Sequence, residues 1–249
     1  MSGHSKWATI KHKKGATDAK RGKLFTKLIR EITIATKLGG IDPTNNPRLR
    51  KAISDAKGQS MPGDTIDRAV KRGSGDMEGV NYEDILYEGT GPAGTLFLVE
   101  STTDNRNRSV AEIRKIFERN NGLLGGQATA AWAFDRKGLL QIAKNDATED
   151  QLMEFAVGGG ADDYSDAGDE WQVTTPPDQL NVVLEALAQA NITVKGSQLG
   201  FLPKAKKPLT GRDAEVAINL AEMLDDHDDV QHVYADFDIS DEEMARLPT

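Results

Sequence analysis

The chain has 249 residues, 38% hydrophobic and 28% charged, with a net charge of −8; at that length two or three domains are expected, with ample apolar material for their cores. It contains no cysteine, which excludes disulfides, thiol catalysis and thiolate zinc sites together and fits a reducing compartment. The charge is unevenly distributed. Residues 1–75 hold 17 Lys/Arg against 6 Asp/Glu, net +11, whereas residues 76–249 hold 14 against 33, net −19. An acidic body is repelled by polyphosphate, so a nucleic acid would be approached with the amino-terminal third leading.

No apolar run approaches the ~18–20 residues of a membrane span, and no apolar core of ~7–15 residues, as a secretory signal has, follows Met1. Gly3, Gly15 and Gly22 interrupt any amphipathic presequence helix. A cytoplasmic protein without a membrane partner is expected.

Residues 1–16 show no hydrophobic period and read as a basic arm. From Thr17 the residues Leu24, Phe25, Leu28, Ile29, Ile32, Ala35 and Leu38 recur at helical spacing, and Gly39-Gly40 supplies a stop. Asn46-Pro47 reads as an N-cap with proline at the first helical position, opening a helix to about Lys57. Ser60-Met-Pro62 reads as the same device, with Gly73 ending the third helix. Asp76–Asn81 is a linker. Tyr82–Glu88 and Thr95–Thr102 read as strands joined by Gly89-Thr-Gly-Pro-Ala-Gly94. A helix is predicted over Arg106–Asn120, with Val110, Ile113 and Phe117 on one face, and a strand over Ala128–Phe134.

From Gly138 the order is strand (138–143), helix (148–157), strand (161–166), strand (170–174), helix (178–190), strand (192–200). This βαββαβ order is the ferredoxin-like arrangement. After Pro203-Lys-Ala-Lys-Lys-Pro208 come a helix over Arg212–Leu224 and a strand over Val230–Phe237. The predicted fold class is α+β with three domains: 1–75, a basic arm plus small helical domain; 80–136 with 206–249, a discontinuous α/β domain; and 137–205, an inserted ferredoxin-like domain.

The densest chemistry is cationic. Lys6, Lys11, Lys13, Lys14, Lys20, Arg21, Lys23 and Lys27 crowd the amino terminus, interleaved with His4, Trp7 and His12 as stacking or phosphate-donor groups. The bias recurs at Arg48, Arg50, Lys51, Lys57 and Arg68. A solvated tail is the ordinary reading of a charge run, but here the run adjoins a domain that repeats it. Each neutralised phosphate adds about −0.7 to −0.9 to the log–log salt slope. No zinc ligands and no helix-turn-helix pattern point to base readout.

Other motifs carry less. Gly89-Thr-Gly91-Pro-Ala-Gly94 matches the dinucleotide fingerprint but runs strand to strand, whereas phosphate binding needs the amides of a helix start. Gly125-Gly126-Gln127 spells the tripeptide of peptide-release factors, and between Asn121-Gly122-Leu-Leu and a strand it reads as a turn. Asp225-Asp-His-Asp-Asp229 reads as an exposed acidic helix terminus and matches no calcium loop. No nucleophile elbow or triad cue is present.

Gly3-His-Ser-Lys-Trp7, Ile10-Lys-His12, Asp18-Ala-Lys-Arg-Gly-Lys23 and Phe25-Thr-Lys-Leu-Ile-Arg-Glu31 closely resemble the opening of the YebC family. The resemblance continues through Asn46-Pro47-Arg48-Leu49-Arg50, Met61-Pro62, Tyr87-Glu88-Gly89 and Thr103-Asp104-Asn105-Arg106-Asn107-Arg108 to Val233-Tyr234 and Phe237-Asp238-Ile239. It covers essentially the whole chain. Ser60 and Asp236 depart from it, each standing where the family has asparagine. The resemblance implies three domains with one inserted, no cofactor, and a role in gene expression. Members carry the label of DNA-binding transcriptional regulators, while relatives, including a mitochondrial translational activator, act on ribosomes.

The sequence reading is therefore a non-enzymatic nucleic-acid-binding regulator with no cofactor, no metal and no small-molecule substrate. A basic arm without a sequence-reading module suits a fixed ribosomal RNA surface better than selection of an operator in duplex DNA. A hydrolase with a site between the α/β domains is the alternative of another class.

Overall fold

The computed structural model describes residues 18–75 and 81–246. The chain is α+β and separates into two compact units, one of Lys14–Thr129 with Arg212–Val233 and one containing Ala130–Gly211 with Tyr234–Thr249.

The first unit begins with three helices, α1 (Asp18–Gly39), α2 (Pro47–Gly58) and α3 (Gly63–Ser74). The apolar stripe of α1 does what its spacing predicts: Ile32 and Ala35 are buried, and Phe25, Leu28 and Ile29 pack on a core of Leu49, Ala52, Ala56, Met61, Ile66 and Ala69. Leu38 lies beyond that contact and is exposed. Gly40, at φ +85, ends α1 in the left-handed region, where glycine has no Cβ penalty. Asn46 is the cap expected of it and more. Its Oδ1 accepts from the Leu49 amide (3.0 Å) while its Nδ2 donates to the carbonyls of Ala35 and Gly40, both at 2.8 Å. One buried amide thus satisfies the start of α2 and the end of α1. Asn46→Ala is expected to cost about 2–3 kcal/mol in urea unfolding, because a cap is lost and buried carbonyls are orphaned together.

Two expectations for α3 are corrected. Ser60 does not cap it: Ser60 sits in a turn at φ +59, and Pro62 occupies the N-cap position without a side-chain bond. Gly73 does not end it either. The left-handed C-cap is Gly75, and Gly73 lies inside the helix, where an added Cβ would stand 2.4 Å from the Thr33 carbonyl oxygen.

A four-stranded sheet follows, ordered β3-β1-β2-β9, from β1 (Glu83–Thr90), β2 (Leu96–Thr103), β3 (Leu123–Leu124) and β9 (Val230–Ala235). β1 and β2 are antiparallel, with Tyr87 opposite Val99. The glycine-rich segment between them is a turn, closed by Gly91 N donating to Thr95 O at 2.7 Å. Helices α4 (Arg106–Arg119) and α7 (Gly211–Asp225) cover one face. Phe117 of α4 meets Phe97 edge-on at 5.9 Å and fills the space a side chain at Gly89 would need; at Gly91 that space is taken by Phe97 and Thr95, with Leu220 of α7 behind them at 3.1 Å.

The strand predicted over 128–134 is absent before Phe134. Ala128 adopts φ +63, Ala131–Ala133 form a single 3-10 turn, and β4 (Phe134–Ala143) begins only at Phe134. Around β4 lie β5 (Asp163–Asp166), β6 (Glu170–Thr175) and β7 (Gly196–Pro203), in the order β5-β6-β4-β7 with every neighbour antiparallel. That is the ferredoxin-like order. Helix α5 starts over Glu149–Gln151 behind a Thr148 capping box and continues as a π-helix, Leu152–Val157. It and α6 (Leu180–Gln189) bury Leu152, Ala156, Val183 and Leu187 against Leu140, Ile142 and Val173 of the sheet. A parallel pair, β8 (Lys207–Pro208) with β10 (Phe237–Asp238), and a last helix, α8 (Asp241–Arg246), complete the chain. No helix of the described residues is long and apolar enough to cross a membrane.

Candidate nucleic-acid interface

The sequence-predicted basic residues fall into three groups. His4, Lys6, Trp7, Lys11, His12, Lys13 and Lys14 lie outside the described residues. Lys20 and Arg21 belong to the first turn of α1. The rest occupy the three helices, and most of them meet carboxylates.

Lys23, Lys27 and Arg30 recur at helical spacing and so share one face of α1. That face meets the end of α7 and the loop after it. Lys23 Nζ stands 3.6 Å from Asp226, Lys27 Nζ donates to the Asp225 carbonyl at 2.5 Å, and Arg30 pairs with Asp229 at 2.9 Å. Arg30 also donates to the Asp228 carbonyl. A helix C-terminus carries partial negative charge and unsatisfied carbonyls, so the cations complement the dipole as well as the acids.

Asp229 overturns the reading of 225–229 as a solvated acidic terminus. Its side chain is only 2% exposed. The hydroxyls of Ser109 (2.5 Å) and Thr103 (3.0 Å) donate to it, as does Arg108 Nη2 (3.0 Å). Burial pushes its carboxyl up, but the Ser109 hydroxyl, the Arg108 and Arg30 guanidiniums and the Thr103 hydroxyl outweigh that and hold it below the usual carboxylate range. Arg30, with its side chain 13% exposed, also lies 5.8 Å over the Tyr82 ring.

Arg48 holds a second junction. It grips Glu31 of α1 with two bonds (2.7 and 2.9 Å) and Asp84 of β1 with a third (2.9 Å), and Asp84 accepts from Thr102 Oγ1 at 2.7 Å. Its guanidinium is held more firmly protonated than usual, chiefly by the Glu31 bond. Arg50 donates to the carbonyls of Pro43 and Thr44, Lys51 pairs with Asp55 one turn on, and Arg68 bonds the Asp64 carbonyl and Thr65 hydroxyl of its own helix. Lys57 is exposed at the end of α2.

These residues are thus not one cluster. Lys23, Lys27 and Arg48 bind the helices to carboxylates, Arg50 orders a loop, and Lys51, Lys57 and Arg68 stay on the helix surface. Sequence reasoning missed Asp229 and its hydroxyl partners. The available signal was the match between an acidic run at 225–229 and cations three and four apart on α1.

The remaining motifs settle quietly. Gly125-Gly126-Gln127 is a turn with Gln127 exposed, fixed by Gly125 N to the Glu88 carbonyl (2.8 Å) and Ala128 N to Glu88 Oε1 (3.0 Å). Among the described residues no three His, Asp or Glu side chains converge as a metal would require.

Residues 5–76 match the family model of the TACO1/YebC protein N-terminal domain, and residues 82–237 match that of the TACO1/YebC second and third domain. A probable transcriptional regulatory protein of Geobacter sulfurreducens is 51% identical over 247 residues, 99% of this chain and 100% of that relative. One of Koribacter versatilis, of the same description, is 51% identical over 99% of each chain. The crystal structure of a conserved hypothetical protein from Aquifex aeolicus superposes with a TM-score of 0.88 at 41% identity, covering 95% of this chain and 98% of that one. With identities near one half across essentially its full length, and with both family models matched in sequence order, this chain belongs to the TACO1/YebC family.

Proposed function

We propose that this chain is a non-enzymatic nucleic-acid-binding regulator of gene expression that acts on ribosomal RNA in the cytoplasm. The observation that carries the reading is the charge division, net +11 over residues 1–75 against −19 over 76–249. On α1 the cations from Lys23 to Arg30 are engaged by Asp225–Asp229. The positive charge left for phosphates is then densest at the amino terminus: Lys6, Lys11, Lys13 and Lys14 of the arm, with Lys20 and Arg21 at the start of α1, against Asp18 alone. In this reading residues 1–75 form the phosphate-binding domain. The discontinuous 80–136 and 206–249 domain and the inserted 137–205 domain orient it, and their acidity keeps them off the nucleic acid.

Co-sedimentation of the full chain with ribosomes, with duplex DNA as competitor, tests this. Retention at moderate salt that DNA does not relieve supports ribosomal action. Lys11→Glu, Lys13→Glu and Lys14→Glu together are expected to weaken binding about 100-fold or more and to flatten the log–log salt slope by about 2, three phosphate contacts being lost at ~0.7 each. Unchanged affinity in that folded triple variant would sink the arm. The relatives' description as probable transcriptional regulatory proteins favours a second reading, in which the nucleic acid is duplex DNA. One duplex sequence displacing the protein far better than others would select it.

A further inference from the structure

The second unit carries a feature that the arm does not explain. Among the large hydrophobic side chains left exposed in the described residues, Trp132 is the one aromatic, at 66% exposure. Its backbone is held firmly. Ala130 and Ala133 on either side are buried, the 3-10 turn Ala131–Ala133 fixes the direction, and Lys204 closes on the turn with its amide to the Ala133 carbonyl (2.9 Å) and its Nζ to the Trp132 carbonyl (2.8 Å). Ala130-Ala-Trp-Ala133 therefore presents one indole outward from a turn anchored by small buried residues.

Charge gathers at the same end of the sheet. Ala130–Gly211 contains seven Lys/Arg against twelve Asp/Glu. Lys144 and Lys195 are taken up at the far end of the strands by Asp166 and Glu170. The other five are Arg136, Lys137, Lys204, Lys206 and Lys207. Phe134 pairs with Pro203 and Arg136 with Phe201, so the start of β4 and the end of β7 bring Arg136 and the lysine run to the Trp132 end. Lys137 is paired with Asp162 at 3.0 Å. Lys204 stands 3.5 Å from Asp135, and Lys206 3.9 Å from Asp238. The Lys204–Asp135 pair is exposed on both sides, and a surface pair of that kind holds weakly, so a phosphate competes with it readily.

We propose that Trp132 with Lys204, Lys206 and Lys207 forms a second nucleic-acid site, one for a single strand: an unpaired base stacks on the indole and the lysines take the flanking phosphates. An exposed ring has nothing to stack on in a duplex, whose bases are already stacked, whereas a single strand offers a π-face at every nucleotide. A protein partner would also use an exposed tryptophan, but three lysines within four residues of an otherwise acidic unit favour polyphosphate.

The test uses the full chain with the Lys11, Lys13 and Lys14 to Glu substitutions, so that the arm does not mask the result. Binding of a short fluorescein-labelled oligouridylate at low salt is followed by anisotropy, beside a duplex of equal charge. The single strand is expected to bind more tightly. Trp132→Ala should weaken it about 10-fold or more while Trp132→Phe retains most affinity, and Lys206→Glu with Lys207→Glu should reduce the salt slope. Circular dichroism checks the fold of each variant, which an exposed position leaves intact. Equal affinity of the Trp132→Ala chain, preference for the duplex, or no binding of the single strand overturns the site. Ribosome co-sedimentation of the chain with its native arm fails or succeeds independently, so loss of one site is distinguishable from loss of the other.

Discussion

Replacing Asp229 with alanine is expected to destabilise the fold by about 3–5 kcal/mol in urea unfolding, because it strips the carboxylate from Arg30 and leaves a buried cation uncompensated. The geometry makes the loss severe. Arg30 and Asp229 are 13% and 2% exposed, and Ser109, Thr103 and Arg108 are all aimed at the same two oxygens. Arg108 retains Asp104 at 2.7 Å, so the cost falls mainly on Arg30 and the two hydroxyls. Pairing Asp229→Ala with Arg30→Met in a double-mutant cycle should recover part of it, since removing both charges costs less than orphaning one. A cost below about 1 kcal/mol would mean that water reaches the pair. The pH dependence has a definite sign. A carboxyl whose folded pKa is depressed stabilises above its unfolded value, roughly 3.9, and loses that contribution as pH falls through the folded value. The gap between wild type and variant should be full at neutral pH and close below about pH 4.

Gly73→Ala is the second large effect, expected at about 2–3 kcal/mol although alanine is the better helix former. The added Cβ would stand 2.4 Å from the Thr33 carbonyl oxygen and 2.7 Å from Thr36 Cβ, so α3 must move off α1 and loosen the packing of Ile66 and Ala69. Backbone oxygen gives way far less than a side-chain tip. Gly75→Ala separates this from a general intolerance of alanine nearby. Gly75 has open space but φ +87, so its substitution should cost about 1 kcal/mol by backbone strain alone. Equal unfolding midpoints for the two variants would show that the helices do not rely on that close approach.

What was legible in the sequence was local. The stripe of α1, of which Phe25, Leu28, Ile29, Ile32 and Ala35 reach the core, Asn46-Pro47 and the βαββαβ order each leave a periodic or capping signature with a counterpart in the structure. The misreadings share a cause. Ser60 looks like a cap by type, but it sits in a left-handed turn ahead of the helix, and Pro62 takes the N-cap position. Ala128–Phe134 is apolar enough for a strand, yet it is mostly alanine, weak in β propensity, and the turn uses those alanines to bury its ends. Gly73 reads as a terminator because a glycine near a helix end usually is one; its real constraint comes from a helix forty residues earlier. The candidate site divides the same way. Its cations were countable, whereas their partners were not, because an ion pair between distant residues imposes no period on either segment. Asp225–Asp229 reads as solvated charge until α1 and α4 are brought to it.

That distance has a consequence for how the molecule is made. Lys27 and the Asp225 carbonyl it binds are 198 residues apart. At about 5–20 residues per second, α1 emerges from its own ribosome some 10–40 s before the acidic segment that covers its cationic face. Through that interval the nascent chain shows an uncovered stripe of Lys23, Lys27 and Arg30 beside the translating machine's own polyanionic surface. The acidic turn at the end of α7, arriving late, neutralises that stripe, so the cationic face of α1 is covered only as synthesis finishes.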